Sequence, residues 1–315
     1  MFFAHDLDRF GSSLCTESKF HTSKNTFTYE LKSNTTASNY NIEVKFGELK
    51  VTAQDGEVVV TITGRSDTVE YDGNEKAVSG YDVTITEGST YTTDDFTFNG
   101  TAEAKGTEAG TYLMGLNTDQ FANTNDNYEK VTFIVNDGSL TINPKSIVPD
   151  GPNTPEDEKT GITVTKPSDS KYDGEEHKNK PTVTDTKTDK VLVEGTDYEL
   201  SYSKDVTNAG TVTVTVTGKA NYEGSFEVTY EITKRNVTLT SADATKTYDG
   251  KALTNTSISV SGDGFVEGEG AEYKVTGTQT QVGNSANEFE YTLNENTLAS
   301  NYDITKVVGT LTVTA

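Results

Sequence analysis

Three copies of one triplet, Tyr71-Asp72-Gly73, Tyr172-Asp173-Gly174 and Tyr248-Asp249-Gly250, are the residues whose types first suggest chemistry. Tyrosine offers a flat apolar face and a hydroxyl, a combination that suits sugar and peptide ligands. The same triplet also makes a turn: glycine accepts the positive φ that other residues resist, and aspartate bonds its own nearby backbone. The turn reading has the better warrant, because each copy follows a Thr-rich alternating run: Val60-Thr61-Ile62-Thr63, Ile162-Thr163-Val164-Thr165 or Val237-Thr238-Leu239-Thr240. Such a run reads as a strand that ends in a turn. Four Asn-Tyr pairs, Asn39-Tyr40, Asn127-Tyr128, Asn221-Tyr222 and Asn301-Tyr302, follow the same logic. There the asparagine suits the turn and the tyrosine anchors the next strand in the core.

Other chemistries lack their residues. His5, His21 and His177 are too few and scattered for a metal site, with no pair at i, i+4. Cys15 is the single cysteine, so no internal disulfide forms, and its flanks resemble no thioester domain. No Ser-His-Asp or Cys-His set is placed to converge. Asn123-Thr124-Asn125-Asp126-Asn127 mimics the opening of a calcium loop, but Tyr128 stands where the glycine belongs and Ile134 where the bidentate glutamate belongs. Gly250-Lys251 is followed by Ala252, so there is no phosphate-cradling loop. A Lys–Asn cross-link would need a buried lysine, asparagine and acid together, a triad that sequence does not place. The expectation is therefore no catalytic residue, no cofactor, no metal and no enzyme.

Composition narrows the partners. A formal charge of −23 and pI near 4.4 leave no basic patch for phosphates, which argues against nucleic acid and against an anionic membrane surface. No run approaches the ~18 apolar residues that read as a membrane span. Met1-Phe2-Phe3-Ala4 is interrupted by Asp6 and Asp8 and lacks the apolar core of a signal peptide. No wall-sorting motif follows, since no proline comes after Pro181. An exported protein with one cysteine points to a Gram-positive type of surface.

The elements that must carry the motifs are strands. No window holds helical apolar spacing over ten residues, so the chain reads as all-β with at most single helical turns such as Thr92–Phe96. Hydrophobic content of 32% suits small modules with thin cores better than one large globule. We expect an elongated array of tandem β-modules, immunoglobulin-like sandwiches or β-grasp-like units, each burying its own core. Residues 1–20 have no counterpart elsewhere and receive no structure. Residues 24–53 match the end of the chain: Ala37-Ser38-Asn39-Tyr40 recurs letter for letter as Ala299-Ser300-Asn301-Tyr302. Residues 1–53 are thus an unassigned start plus the back half of a truncated repeat. A first full module is expected over 54–144, and a linker over 145–160 that is acidic and rich in proline, with four of six prolines at 144–155. The second and third modules are expected over 161–234 and 235–315.

The ordered set of Tyr-Asp-Gly, a Gly-rich middle, Asn-Tyr and a final Gly-x-Leu-Thr-Val strand resembles the YDG-type and MBG-type (mucin-binding-related) repeats of Gram-positive surface adhesins. The third module carries it through Ser261-Gly262-Asp263-Gly264-Phe265 and Val275-Thr276-Gly277-Thr278-Gln279-Thr280. The first carries it through Gly106-Thr107-Glu108-Ala109-Gly110-Thr111-Tyr112. The second does so through Asn208-Ala209-Gly210-Thr211 and Gly218-Lys219-Ala220-Asn221-Tyr222. The resemblance implies extracellular stalk or adhesin modules on a bacterial cell wall, with no catalytic residues to transfer. It implies neighbouring repeats, or a host glycan or glycoprotein, as partners. A carbohydrate-binding module using exposed tyrosines is the alternative.

Overall fold

Alternation of threonine with valine or isoleucine puts one kind of side chain on each face of a pleated strand, and the computed structural model builds its ladders from these runs. It describes residues 22–50 and 52–315, so Cys15, His5, His21, Val51 and the unassigned start lie outside the described residues. In the strand Gly210–Gly218, Val212, Val214 and Val216 are buried while Thr213 and Thr215 are half-buried. The described residues form strands and four short 3-10 turns, with no α-helix among them. The turn Thr93–Asp95 is closed by a capping box between Thr92 and Asp95. A β-grasp unit needs a helix laid across its sheet, so the modules are sandwich-like.

The described chain divides into two compact units, residues 1–69 with 74–143, and residues 70–73 with 144–315. In the first unit, Gln54–Gly64 lies between Tyr128–Asn136, which is parallel to it, and Tyr81–Ile85, which is antiparallel. A second sheet orders Asp67–Glu70, Ser139–Asn143 and Gly110–Leu113. Val58, Val60 and Ile62 pack with Tyr91, Phe96, Phe121 and Tyr128. Phe121 stacks on Phe98 at 4.8 Å and on Phe133 at 5.9 Å, so aromatic rings supply the volume that a Thr-rich strand lacks.

The second unit repeats this plan in residues 235–315, whereas residues 145–234 set Ser225–Thr233 between Ser170–Lys171 and Gly210–Gly218, and Thr182–Asp185 between Ile162–Thr165 and Lys190–Val191. Arg235–Ser241 lies between Ile258–Gly262 and the parallel strand Tyr302–Val307, and Gly309–Thr314 lies between Ala244–Thr247 and Gly283–Asn287. Two expectations are corrected here. The stretch from Lys145 is no linker at its start: Lys145–Ser146 pairs in parallel with Tyr222–Glu223, and Ile147 is fully buried. The start of that stretch looks polar because of Lys145, whose charge is neutralised by Asp185 inside the fold. Nor do the second and third modules bury separate cores. Tyr172, Val212, Val214, Tyr230 and Ile232 form one cluster with Val237, Leu239, Phe289 and Tyr302. Thin cores leave apolar area at their ends, and merging them removes it from water.

Candidate functional site

The Asn-Tyr tyrosine stands beside the opening residue of its module in all three complete modules, once the second is taken to begin at Lys145. The parallel register pairs Tyr128 with Gln54, Tyr222 with Lys145, and Tyr302 with Arg235. A second parallel pairing carries the strand before Tyr-Asp-Gly along the module's last strand: Ser170–Lys171 along Ser225–Thr233, and Ala244–Thr247 along Gly309–Thr314. Tyr172 N–H therefore donates to Thr233 O, and Tyr248 N–H to Thr314 O, at 2.9 Å in each case. Since Thr233 runs directly into Arg235, Tyr172 arrives where the next module's Asn-Tyr tyrosine sits.

The two rings meet there. Tyr172 packs edge-on against Tyr302 with centroids 5.7 Å apart and an interplanar angle of 85°. Glu269 accepts from both hydroxyls, one oxygen for each, with Tyr302 at 2.6 Å. Arg235 closes the site by donating to Gly264 O, Asp263 O and Tyr172 O. Asn301 is fully buried; it accepts from Ala209 N–H and donates to Asn208 Oδ1, both at 2.9 Å. Lys171 and Asp263 add an exposed ion pair at 2.8 Å.

The same arrangement recurs with different charges. Tyr71 packs edge-on against Tyr222 at 5.7 Å and 75°. Asp185 accepts the Tyr222 hydroxyl at 3.2 Å and holds Lys145 Nζ through both oxygens at 2.7 Å. Lys145 and Asp185 are 2% and 0% exposed. A pair so deep is held by geometry, because desolvation offsets much of its attraction. Asn221 is buried, and its carbonyl accepts from Lys145 N–H at 2.9 Å.

Burial raises the Tyr172 and Tyr302 phenols above the ordinary value, and the shared Glu269 adds to it. Burial and then the Asp185 charge do the same for Tyr222. These tyrosines stay protonated, hydrogen-bonded and inaccessible, a set of properties suited to anchoring and unsuited to proton transfer near neutral pH.

The remaining motif residues differ. Tyr248 is 48% exposed, against 7% for Tyr71 and 4% for Tyr172. Tyr128 meets Tyr91 of its own module at 5.0 Å and 83°, and its hydroxyl lies 2.7 Å from Thr90 Oγ1. Asn127 N–H bonds Asn125 Oδ1, and Asn123 bonds Asn125, so the mimic of a calcium loop is a set of asparagine turns. Gly73, Gly174 and Gly250 take φ of 79°, 87° and 75°. Asp173 accepts from Glu175 N–H and His177, and Asp249 from Lys251 N–H and Lys246, as a turn requires. Asn39 and Tyr40 are exposed. No group of three metal-ligating side chains occurs among the described residues, and none of their helices is long and apolar enough to cross a membrane.

Sequence reasoning missed Lys145, Asp185, Arg235 and Glu269. Asp185 had a signal, since it shares a strand face with the buried Val183 at period two. Glu269 lies in a Gly-rich loop with no periodicity to reveal it.

Residues 57–144 match the family model of the MBG domain. No curated protein matches the chain. Among solved structures, the N-terminal eight immunoglobulin domains of Down Syndrome Cell Adhesion Molecule isoform 1.30.30 align at 12% identity over 87% of this chain and 43% of that one, with a TM-score of 0.15. The SGBP-B protein of the Bacteroides ovatus mixed-linkage glucan utilization locus, solved with a mixed-linkage heptasaccharide, aligns at 12% identity over 79% of this chain and 66% of that one, with a TM-score of 0.14. The chain spans under two thirds of the length of either.

Proposed function

We propose that this chain is a non-enzymatic stalk or adhesin segment of a bacterial surface protein, in which a Tyr-Asp-Gly motif and an Asn-Tyr motif join the second and third modules. The observation that carries this reading is the joint between the second and third modules: Tyr172 packs on Tyr302, and Glu269 accepts both hydroxyls. Tyr172 and Tyr302, which sequence alone makes candidates for ligand binding, are buried against each other, while Tyr248 and Tyr40 stay exposed. The match of 57–144 to the MBG domain and the acidic, self-repelling composition support a surface repeat. The partners are neighbouring repeats first, and a host glycan or glycoprotein second. Labelling of intact producing cells with antibodies to this chain tests the location; signal only after lysis would refute it. A glycan array probed with the whole chain tests the second partner class. Binding that disappears on Tyr248→Ala would make the carbohydrate module the better reading.

A further inference from the structure

Lys145 and Asp185 hold a primary amine against a carboxyl group inside the second module. Nζ lies 2.7 Å from both oxygens, and the two side chains are 2% and 0% exposed. Strand register delivers each of them. Lys145 opens Lys145–Ser146, which pairs with Tyr222–Glu223, and Asp185 ends Thr182–Asp185 with Ile162 opposite. By the same register Gln54 and Arg235 hold the opening position in the other two modules. Neither carries a primary amine, and the Arg235 guanidinium donates to backbone carbonyls. Only the second module sets a nucleophile there.

Two further donors meet the carboxyl group. Lys187 N–H donates to Oδ1 at 3.0 Å, and the Tyr222 hydroxyl donates to Oδ2 at 3.2 Å. Burial, and then the Asp185 charge, holds the Tyr222 phenol in its protonated, donating form. Donors already aimed at both oxygens suit charge that develops on them during an acyl transfer. Reacting atoms held about 3–3.5 Å apart gain a large effective concentration. A nitrogen at 2.7 Å from both oxygens reaches the near end of that range from Cγ.

We propose that Lys145 Nζ and Asp185 Cγ condense to a side-chain amide that staples the second module. One ammonium proton passes to Oδ2, and the freed nitrogen lone pair forms the C–N bond at Cγ. Lys187 N–H receives the oxyanion at Oδ1. A second nitrogen proton moves to Oδ2, the Cγ–Oδ2 bond breaks, and Oδ2 departs as water. Ammonium and carboxylate thus become one amide and one water, with no oxidant, cofactor or second protein. Bulk water favours the separated ions because it solvates them; a dry interior withdraws that solvation and favours the neutral product. The bond closes a loop between residues forty positions apart, a constraint that acts on the unfolded chain as a disulfide does. It also reinforces the two-residue ladder that is the backbone pairing of Lys145–Ser146. The inference stands on this pair alone and does not require the stalk reading.

The purified full chain is denatured, and its intact mass and the peptides of a protease digest are measured by mass spectrometry. The expected mass is that of the sequence less one water, with a branched peptide joining Lys145 to Asp185. Lys145→Arg keeps the charge without an amine able to form the bond, and is expected to lose both signals. An unaltered chain of full sequence mass, with Lys145 open to acetylation once unfolded, would overturn the proposal and leave an ion pair only. A missing water that persists in Lys145→Arg would overturn it too, by placing the loss elsewhere, as in a succinimide at an Asp-Gly step. Should that variant fail to fold, the branched peptide of the unaltered chain decides, and its absence refutes the bond.

Discussion

Tyr172 and Tyr302, from consecutive modules, meet edge-on at 5.7 Å and donate their hydroxyls to the two oxygens of one carboxylate, Glu269. The pairing converts two tyrosines into a fastener. The rings bury apolar area and add about 0.5–1.5 kcal/mol of aromatic contact, while the shared acid leaves no hydroxyl unsatisfied.

The exposed third copy of the triplet supplies an internal control. Tyr172→Ala empties a packed site and is expected to cost about 3–5 kcal/mol, the range for large aromatic truncations. Tyr248→Ala, at a half-exposed site with the same backbone bond, is expected to change stability by less than about 0.5 kcal/mol. Chemical denaturation of the two variants checks the contrast.

Lys145→Ala leaves Asp185 buried without its cation and is expected to destabilise the second module by about 3–5 kcal/mol. The double replacement Lys145→Met with Asp185→Leu is expected to recover most of that loss, because it removes both desolvated charges. Denaturation midpoints for the single and double variants read this directly.

In the strand Gly210–Gly218, Val214→Thr places a hydroxyl in a fully buried position and is expected to cost about 1–3 kcal/mol. Thr213→Val, on the half-buried opposite face, is expected to be close to neutral. Equal effects at both positions would contradict the one-sided packing.

Alkaline pH probes the buried phenols. Burial first, then the nearby Asp95 charge, pushes Tyr91 up to about 12, and Tyr302 and Tyr222 move in the same direction. The folded protein then holds protons that the unfolded chain releases from about pH 10. Stability is constant on this account below that pH and falls as pH rises from about 10 through 12, by up to about 1.4 kcal/mol per pH unit for each such phenol. Phenolate absorbance should lag behind that of free tyrosine and rise together with unfolding.

The strands were readable because their cause is local. Val212, Val214 and Val216 alternate with threonine, and the pleat does the rest. The Asp-Gly turns were readable for the same reason. The joint was not, because the partners of Tyr172 are Tyr302, Glu269 and Arg235, far along the chain and brought near by two parallel pairings that no short window encodes. Lys145 was obscured further: a lysine beside prolines looks like linker until Asp185, across the fold, neutralises it.

The central claim is that the tyrosine joint makes the second and third modules one cooperative unit, and residue-resolved hydrogen exchange tests it most directly. In the unaltered chain, the slowest amides of Gly210–Gly218 and of Tyr302–Val307 are predicted to share one opening free energy. In Tyr172→Ala they are predicted to separate into two values. Distinct values already present in the unaltered chain, or a single shared value that survives Tyr172→Ala, would contradict the claim.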